Sequence, residues 1–386
     1  MTNVQFETLE FTELPPLSLY VHLPWCVRKC PYCDFNSHAI DGLVPERDYV
    51  QALMQDLRAD LGWVQHRDLG SIFFGGGTPS LFSAEGIHGI LSGIGELIKF
   101  SDRMEVTLEV NPGAVDRSRL SDFRNAGVNR LSLGIQSFDD QKLISLGRIH
   151  NGRDARQAVE GTLDAGFTNF NLDLIHGLPG QTTQQALEDL ETALSFSPTH
   201  VSWYQLTIEP NTRFYTNPPQ LPGEDQLWDI VRHGRSLLRQ QYDHYEVSAF
   251  CKRQSRALHN LNYWQFGDYL GIGAGAHGKI TRLDQQSIVR SWKTRRPDHY
   301  LRHEGEKLAG IRTLQAEEIP LEFMMNALRL TDGVTPGQYR RRAGLPLESI
   351  ASFVRQARLM KLLRNNSRIQ PTQLGLRYLN NLLGLL

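Results

Sequence analysis

Cysteine is scarce in this chain, with four residues among 386. That is too little for a disulfide scaffold, and three of the four crowd into eight positions, an odd trio that disulfides cannot close. Net charge is nearly absent, at −1 with histidine neutral, so no global attraction to nucleic acid is built in and none is expected as a partner. No apolar run approaches the ~20 residues of a bilayer-spanning helix. The opening MTNVQFETLEFTELPP lacks the basic-then-apolar layout of an export signal. With unpaired thiols, this predicts a protein of the reducing cytoplasm. Internal repeats and low-complexity tracts are missing too. The remaining composition, 40% hydrophobic and 22% charged, is that of an ordinary soluble enzyme, long enough for two domains or one barrel with an appendage.

The crowded thiols are Cys26, Cys30 and Cys33, spaced C-x3-C-x2-C. Soft thiolates on one short segment suit a transition metal or an iron–sulfur cluster. Structural zinc calls for four closed ligands, usually as two C-x2-C pairs. Here the fourth cysteine, Cys251, stands more than two hundred residues away and reads as a small buried residue. Three thiolates on a four-iron cluster leave one iron open to a substrate or cofactor. A continuous helix would put all three on one face, but Pro31 removes a donor and disfavours helix in the residue before it. The expectation is a loop wrapped around the metal, with Trp25, Tyr32 and Phe35 keeping water out.

Residues 17–24 alternate in the manner of a strand and run straight into that loop. Residues 45–66 read as an amphipathic helix. Further strands are predicted at 71–74, 105–110, 130–136, 169–175 and 200–208, with helical patterns between them. Six strands alternating with helices argue for an α/β fold of parallel units. Polar groups near the C-terminal strand ends, namely residues 75–78, Glu109, Gln136 and Asp173, favour a barrel whose strand ends face one cavity. The division expected is an N-terminal extension (1–16), a (β/α)6 barrel (17–248) and a mostly helical C-terminal domain (249–386). Within the last, residues 271–278 are glycine-rich and 290–302 read as a basic loop. Positions 273–278 match a dinucleotide fingerprint by letter, but without its βαβ unit or its acid. Between 340 and 368, eight basic residues stand against Glu348 alone. That is either a solvated helical face or a docking patch for an anionic partner, propionates or a membrane surface.

The cysteine spacing, with a strand before it and aromatics around it, resembles the radical S-adenosylmethionine (SAM) superfamily. The resemblance implies a partial, six-stranded TIM-like barrel with a [4Fe-4S] cluster on Cys26, Cys30 and Cys33 and SAM on the open iron. Residues 75–79, Gly-Gly-Gly-Thr-Pro, are similar to the superfamily's SAM-amino-binding strand end. Longer likenesses are Leu-Tyr-Val-His-Leu-Pro-Trp-Cys at 19–26, Glu109-Val-Asn-Pro, Gly134-Ile-Gln136-Ser-Phe and Gly147-Arg148-x-His150. They resemble the branch holding oxygen-independent coproporphyrinogen III dehydrogenase (HemN) and a haem-chaperone group (HemW). By that likeness Tyr20, Tyr32, Gly76, Gly77, Thr78, Glu109, Gln136, Arg148 and Asp173 are SAM contacts, with Glu109 toward the ribose and Arg148 toward the carboxylate.

Two departures set this chain apart from the dehydrogenase pattern. That pattern continues to a fourth cysteine where Phe35 stands here, and it carries a longer arm than the 25 residues preceding Cys26. Conversely, His259-Asn260-x-x-Tyr263-Trp264 matches the HNxxYW motif of the chaperone group. The implied function is to bind haem and deliver it to respiratory haemoproteins, with oxidative decarboxylation of coproporphyrinogen as the alternative. Reductive SAM cleavage is the chemistry the superfamily implies. His259 is then a haem contact, since imidazole is a common axial ligand, and Tyr263 and Trp264 pack on the porphyrin. His22, His38, His176 and His277 read as structural.

Overall fold

Strand β1 (Leu17–Leu23) is buried at every position except Tyr20, as befits a central parallel strand covered on both faces. Beside it run β2 (Leu69–Gly76), β3 (Phe100–Val110), β4 (Arg130–Gln136), β5 (Phe170–His176) and β6 (His200–Gln205), each parallel to its neighbour. These are the six expected strands in a computed structural model that describes residues 8–302 and 307–386. Helices Glu46–Asp60, Ala84–Leu97, Arg117–Asn125, Gly152–Asp164 and Thr183–Ser195 connect them, and Glu224–Leu238 follows β6. Four of these helices open on a side-chain cap, at Ser83, Asp116, Asn151 and Thr182. Each cap satisfies orphan N–H groups, so helix starts are set by local chemistry. Leu19, Val21, Ile72, Phe74, Leu108, Leu133, Leu172 and Val201 form the strand side of one large core.

Some boundaries differ from expectation. The helix predicted over 45–66 ends at Asp60 and gives way to a short 3-10 turn, because Gln65 and His66 adopt φ of 52° and 61°, outside any right-handed helix. Strand β3 starts at Phe100, earlier than predicted, and β6 stops at Gln205.

The sheet continues past both edges of this parallel block. On the β6 side lie β8 (Ala249–Cys251) and then β7 (Asp243–Glu246), both antiparallel to their neighbours. On the other side β9 (Asp268–Ile272) joins β1 in parallel, followed by antiparallel β10 (His277–Arg282), β11 (Ser287–Lys293) and β12 (Leu308–Thr313). The glycine-rich stretch is therefore the facing ends of two strands with a turn between them, the start of the basic loop is strand, and the loop's end is a helix, Pro297–Arg302. Glycine hides their period. At Gly271 a side chain would strike the His277 carbonyl, so the tight β9–β10 turn requires glycine where a pattern would show a side chain.

Buried ion pairs pin this extension to the barrel. Lys293 Nζ lies 2.6 Å from Asp56 and 2.7 Å from Asp60 on the first helix, and Asp268 pairs with Arg67 (2.7 Å) and Lys279 (3.0 Å). C-terminal helices Ile319–Ala327, Pro336–Ala343, Ala351–Leu359, Gln373–Arg377 and Leu379–Leu383 enclose a second core around Phe323, Val334, Tyr339 and Phe353. Phe11 of the N-terminal extension packs into it.

Candidate functional site

Beyond Leu23 the cysteine segment runs as a loop, closed by a short ladder between Trp25–Cys26 and His38–Ala39. Pro31 sits where helix was excluded. Arg28 Nη2 staples the loop to the next turn through Gly147 O (2.8 Å) and Arg148 O (2.9 Å), and Phe214 N donates to Pro31 O (3.0 Å). The thiols of Cys26, Cys30 and Cys33 are free and line one cavity of about 430 Å³. Burial pushes the Cys26 and Cys33 thiols up. Arg148 Nη1 lies 3.7 Å from Cys30 Sγ. Among the described residues, no three His, Cys, Asp or Glu side chains converge to hold a single ion. Thiols are the donor type that iron–sulfur clusters take.

The strand ends supply the polar wall of the same cavity. Gly76 N donates to Glu109 Oε2 at 3.3 Å. Burial and the neighbouring Asp173 push the Glu109 carboxyl up to about 8. Asp173, itself raised by burial, accepts from Ser132 Oγ (2.7 Å) and Asn171 Nδ2 (2.9 Å). Gln136 ends β4 in the left-handed region, φ 68°, and its Oε1 accepts from Tyr204 OH at 2.9 Å. Strained backbone of this kind persists where surrounding contacts over-determine it. Arg148 donates to Gly134 O (2.9 Å), while its buried Nε has no partner among the described residues. A buried guanidinium with donor capacity to spare and two buried carboxyls suit a ligand that carries a carboxylate, an ammonium and hydroxyls, as SAM does.

The glycines are explained locally. A methyl at Gly76 would meet the His22 ring at 2.6 Å, and one at Gly77 would collide with the Trp25 carbonyl. Close approach lets Gly77 N reach Leu23 O (2.8 Å) and Thr78 N reach Trp25 O (2.7 Å), so the β2 end and the cluster loop are stitched backbone to backbone. Tyr32, Thr78 and Val110 complete this side. Sequence reasoning missed Arg28 and Tyr204. The alternating polar positions of β6 carried a signal for the second only.

A larger cavity of about 910 Å³ adjoins the first, sharing Phe35, Gly76 and Glu109 with it. Tyr20 lines this one and not the smaller, its OH held by His22 Nδ1 at 2.9 Å. The aromatic side chains of Phe73, Tyr263, Trp264, Tyr269 and Trp292 line it, with His277, Arg290 and Arg295 among the polar lining. His259 lies apart from both cavities. It is 7% exposed, its ring packs 4.1 Å from Phe73, and Nδ1 lies 3.2 Å from Glu105 Oε1. Burial pushes its imidazole pKa down, and Nδ1, facing a carboxylate oxygen, is the donor. The same Glu105 oxygen accepts from Leu258 N (2.9 Å) and His259 N (3.2 Å), the first turn of helix Leu258–Trp264. Burial opposes ionisation of Glu105, but the His259 hydrogen bond, Arg130 and those N–H groups outweigh it and hold its carboxyl low. Asn260 reaches Tyr245 OH (3.3 Å), which continues through His200 and Asn171 to Asp173.

A model of the radical SAM superfamily matches residues 20–193. The chain is 49% identical to "Heme chaperone HemW" of Haemophilus influenzae, covering 97% of this chain and 98% of that one. Against "Heme chaperone HemW" of Escherichia coli the identity is 46%, with the same coverage. Coproporphyrinogen III oxidase (HemN) from Escherichia coli, a solved structure, superimposes with a TM-score of 0.81 at 21% identity, over 96% of this chain and 90% of that one. At that identity the likeness speaks for the fold.

Proposed function

The chain belongs to the HemW family of the radical SAM superfamily, and from that premise we propose that it binds haem and hands it to respiratory haemoproteins, carrying a SAM-binding [4Fe-4S] cluster beside the haem site. The observation that carries this reading is the pair of adjoining cavities. One offers thiols and buried polar groups. The other offers aromatic walls and arginines, chemistry that suits a planar macrocycle bearing carboxylates. Cys26, Cys30 and Cys33 are assigned as cluster ligands. When bound, a cluster with SAM supplies radical chemistry. The chain's own groups position it: Gly76 and Gly77 admit close backbone approach, Thr78 adds a polar contact, Arg148 orients a carboxylate, and Glu109, Gln136 and Asp173 offer hydrogen-bonding oxygens. Tyr32 borders this space and helps shut out water, while Tyr20 stands in the adjoining larger cavity. Phe35, 59% exposed, brings an apolar ring to the rim of both cavities at the position where the dehydrogenase pattern carries a fourth cysteine.

Two finer points complete the proposal. Free thiols suit a cytoplasmic protein. The basic C-terminal segment contacts anionic membrane, where Leu359 (79% exposed) and Met360 (51%) protrude beside Lys361 and near Arg355 and Arg364. Apolar tips among cations are the make-up of a peripheral membrane contact.

The test is transfer. Haem-loaded protein mixed with an apo respiratory haemoprotein should lose its haem absorbance while the acceptor gains its own and becomes active. Haem that stays put, or that moves no faster than free haem added alone, would contradict the reading.

A further inference from the structure

Resting on the haem reading, we infer that His277, and not His259, is the side chain that meets the haem iron, within the larger cavity and with Arg295 placed for a propionate. An axial imidazole must present a nitrogen lone pair to the ligand. Three histidines come near. His22 lines the cavity, but Nδ1 is held by Tyr20 OH and Nε2 by Asn36 O, both at 2.9 Å. His259 is sealed behind Phe73 with its Nδ1 on Glu105, and it borders neither cavity. His277 lines the cavity, is exposed there, and has no hydrogen bond to either ring nitrogen among the described residues.

Strand register explains the placement. His277 lies opposite Trp292 and Lys279 opposite Arg290 in the β10–β11 ladder, and Lys279 opposite Tyr269 in the β9–β10 pair. Residues directly opposite share a face, and alternate residues return to it. That face therefore presents an imidazole beside an indole, with two cations along the strand. Lys279 is already engaged, at 1% exposure with Nζ on Asp268 and Phe266 O. Arg290 is shared between Tyr269 OH and Glu322. Arg295 has no carboxylate partner among the described residues and stands exposed on the lining. Burial, Arg290 and Arg295 disfavour the charged imidazolium at His277 and so keep its lone pair available near neutrality. His259 is a positioning residue: through Glu105 it fixes the short helix that carries Tyr263 and Trp264 into the wall.

The experiment titrates haem into the anaerobically reconstituted full-length protein and its His277→Ala, His259→Ala and Arg295→Glu variants, reading the Soret band, electron paramagnetic resonance and thermal melting. The wild-type protein should take up one haem. His277→Ala should change the axial-ligand signature and weaken binding at least about ten-fold, while melting normally. Added imidazole should restore the wild-type spectrum in that variant. His259→Ala should melt earlier but keep the wild-type spectrum once haem is bound, and Arg295→Glu should weaken binding without changing the ligand signature. An unaltered His277→Ala spectrum, or a ligand change in His259→Ala instead, overturns the assignment while leaving the chaperone reading standing. A wild-type protein that binds no haem overturns both.

Discussion

Glu109 is a carboxyl that burial and Asp173 keep protonated up to about pH 8. In the unfolded chain it ionises near its ordinary value of 4.5, so between those limits the folded state binds the extra proton. Stability from this group is therefore present at low pH and lost as pH rises toward 8. Glu109→Gln keeps the shape without the titration. It should melt close to wild type at pH 4 and above it at pH 8, in scans at matched ionic strength; equal pH dependence in both proteins would show that the burial penalty lies elsewhere. Gly77 makes a steric case. Its Cβ would collide with the Trp25 carbonyl, backbone that cannot swing aside. Gly77→Ala should lower stability by about 1–3 kcal/mol and reduce the iron and sulfide retained after reconstitution, as measured by metal analysis. Glu109, Gln136 and Asp173 were legible in the sequence because each is a polar residue within a recognisable hydrophobic strand. Tyr204 carried only the polar alternation of its strand, because its role depends on Gln136 on another strand, and the alternation that would flag His277 is broken by the glycines before it.

Helix Leu258–Trp264 spans seven residues with no side-chain cap of its own, too short to persist on propensity. Glu105 on β3 supplies the cap from outside, bonding two helix N–H groups and His259 Nδ1. Removing that carboxylate by Glu105→Ala should destabilise by about 1–3 kcal/mol, since buried donors lose their partner. His259→Ala should cost a similar amount, and the double variant should fall short of the sum because both act on one network. Full additivity in denaturant unfolding would separate the two residues. The motif was readable as letters, but its role was not: Glu105 stands far from it in the chain, and a pattern read along one segment cannot show an acid approaching from another. Helix starts were more legible, because Asn151, Thr182 and Thr335 carry their capping chemistry within three residues.

Across the whole molecule, one twelve-stranded sheet carries both cavities. The parallel half follows from hydrophobic runs spaced by helices, which is why it was visible in sequence. The extension depends on Leu17 of β1 facing Asp268 of β9 and on the buried pairs of Lys293 with Asp56 and Asp60, contacts between distant segments. The C-terminal helices place exposed Leu359 and Met360 beside a run of cations. Binding to vesicles should therefore require anionic lipid and weaken as salt shortens the Debye length from about 10 Å at 0.1 M to about 3 Å at 1 M. Binding indifferent to both would remove the membrane from the account. The central claim, that two adjoining cavities serve a cluster with SAM and a haem, is tested most directly by one sample. The anaerobically reconstituted protein is titrated with haem by absorbance, then given coproporphyrinogen, SAM and a reductant. Saturation at one haem with no coproporphyrinogen turnover is the predicted result; turnover without stable haem binding would contradict it.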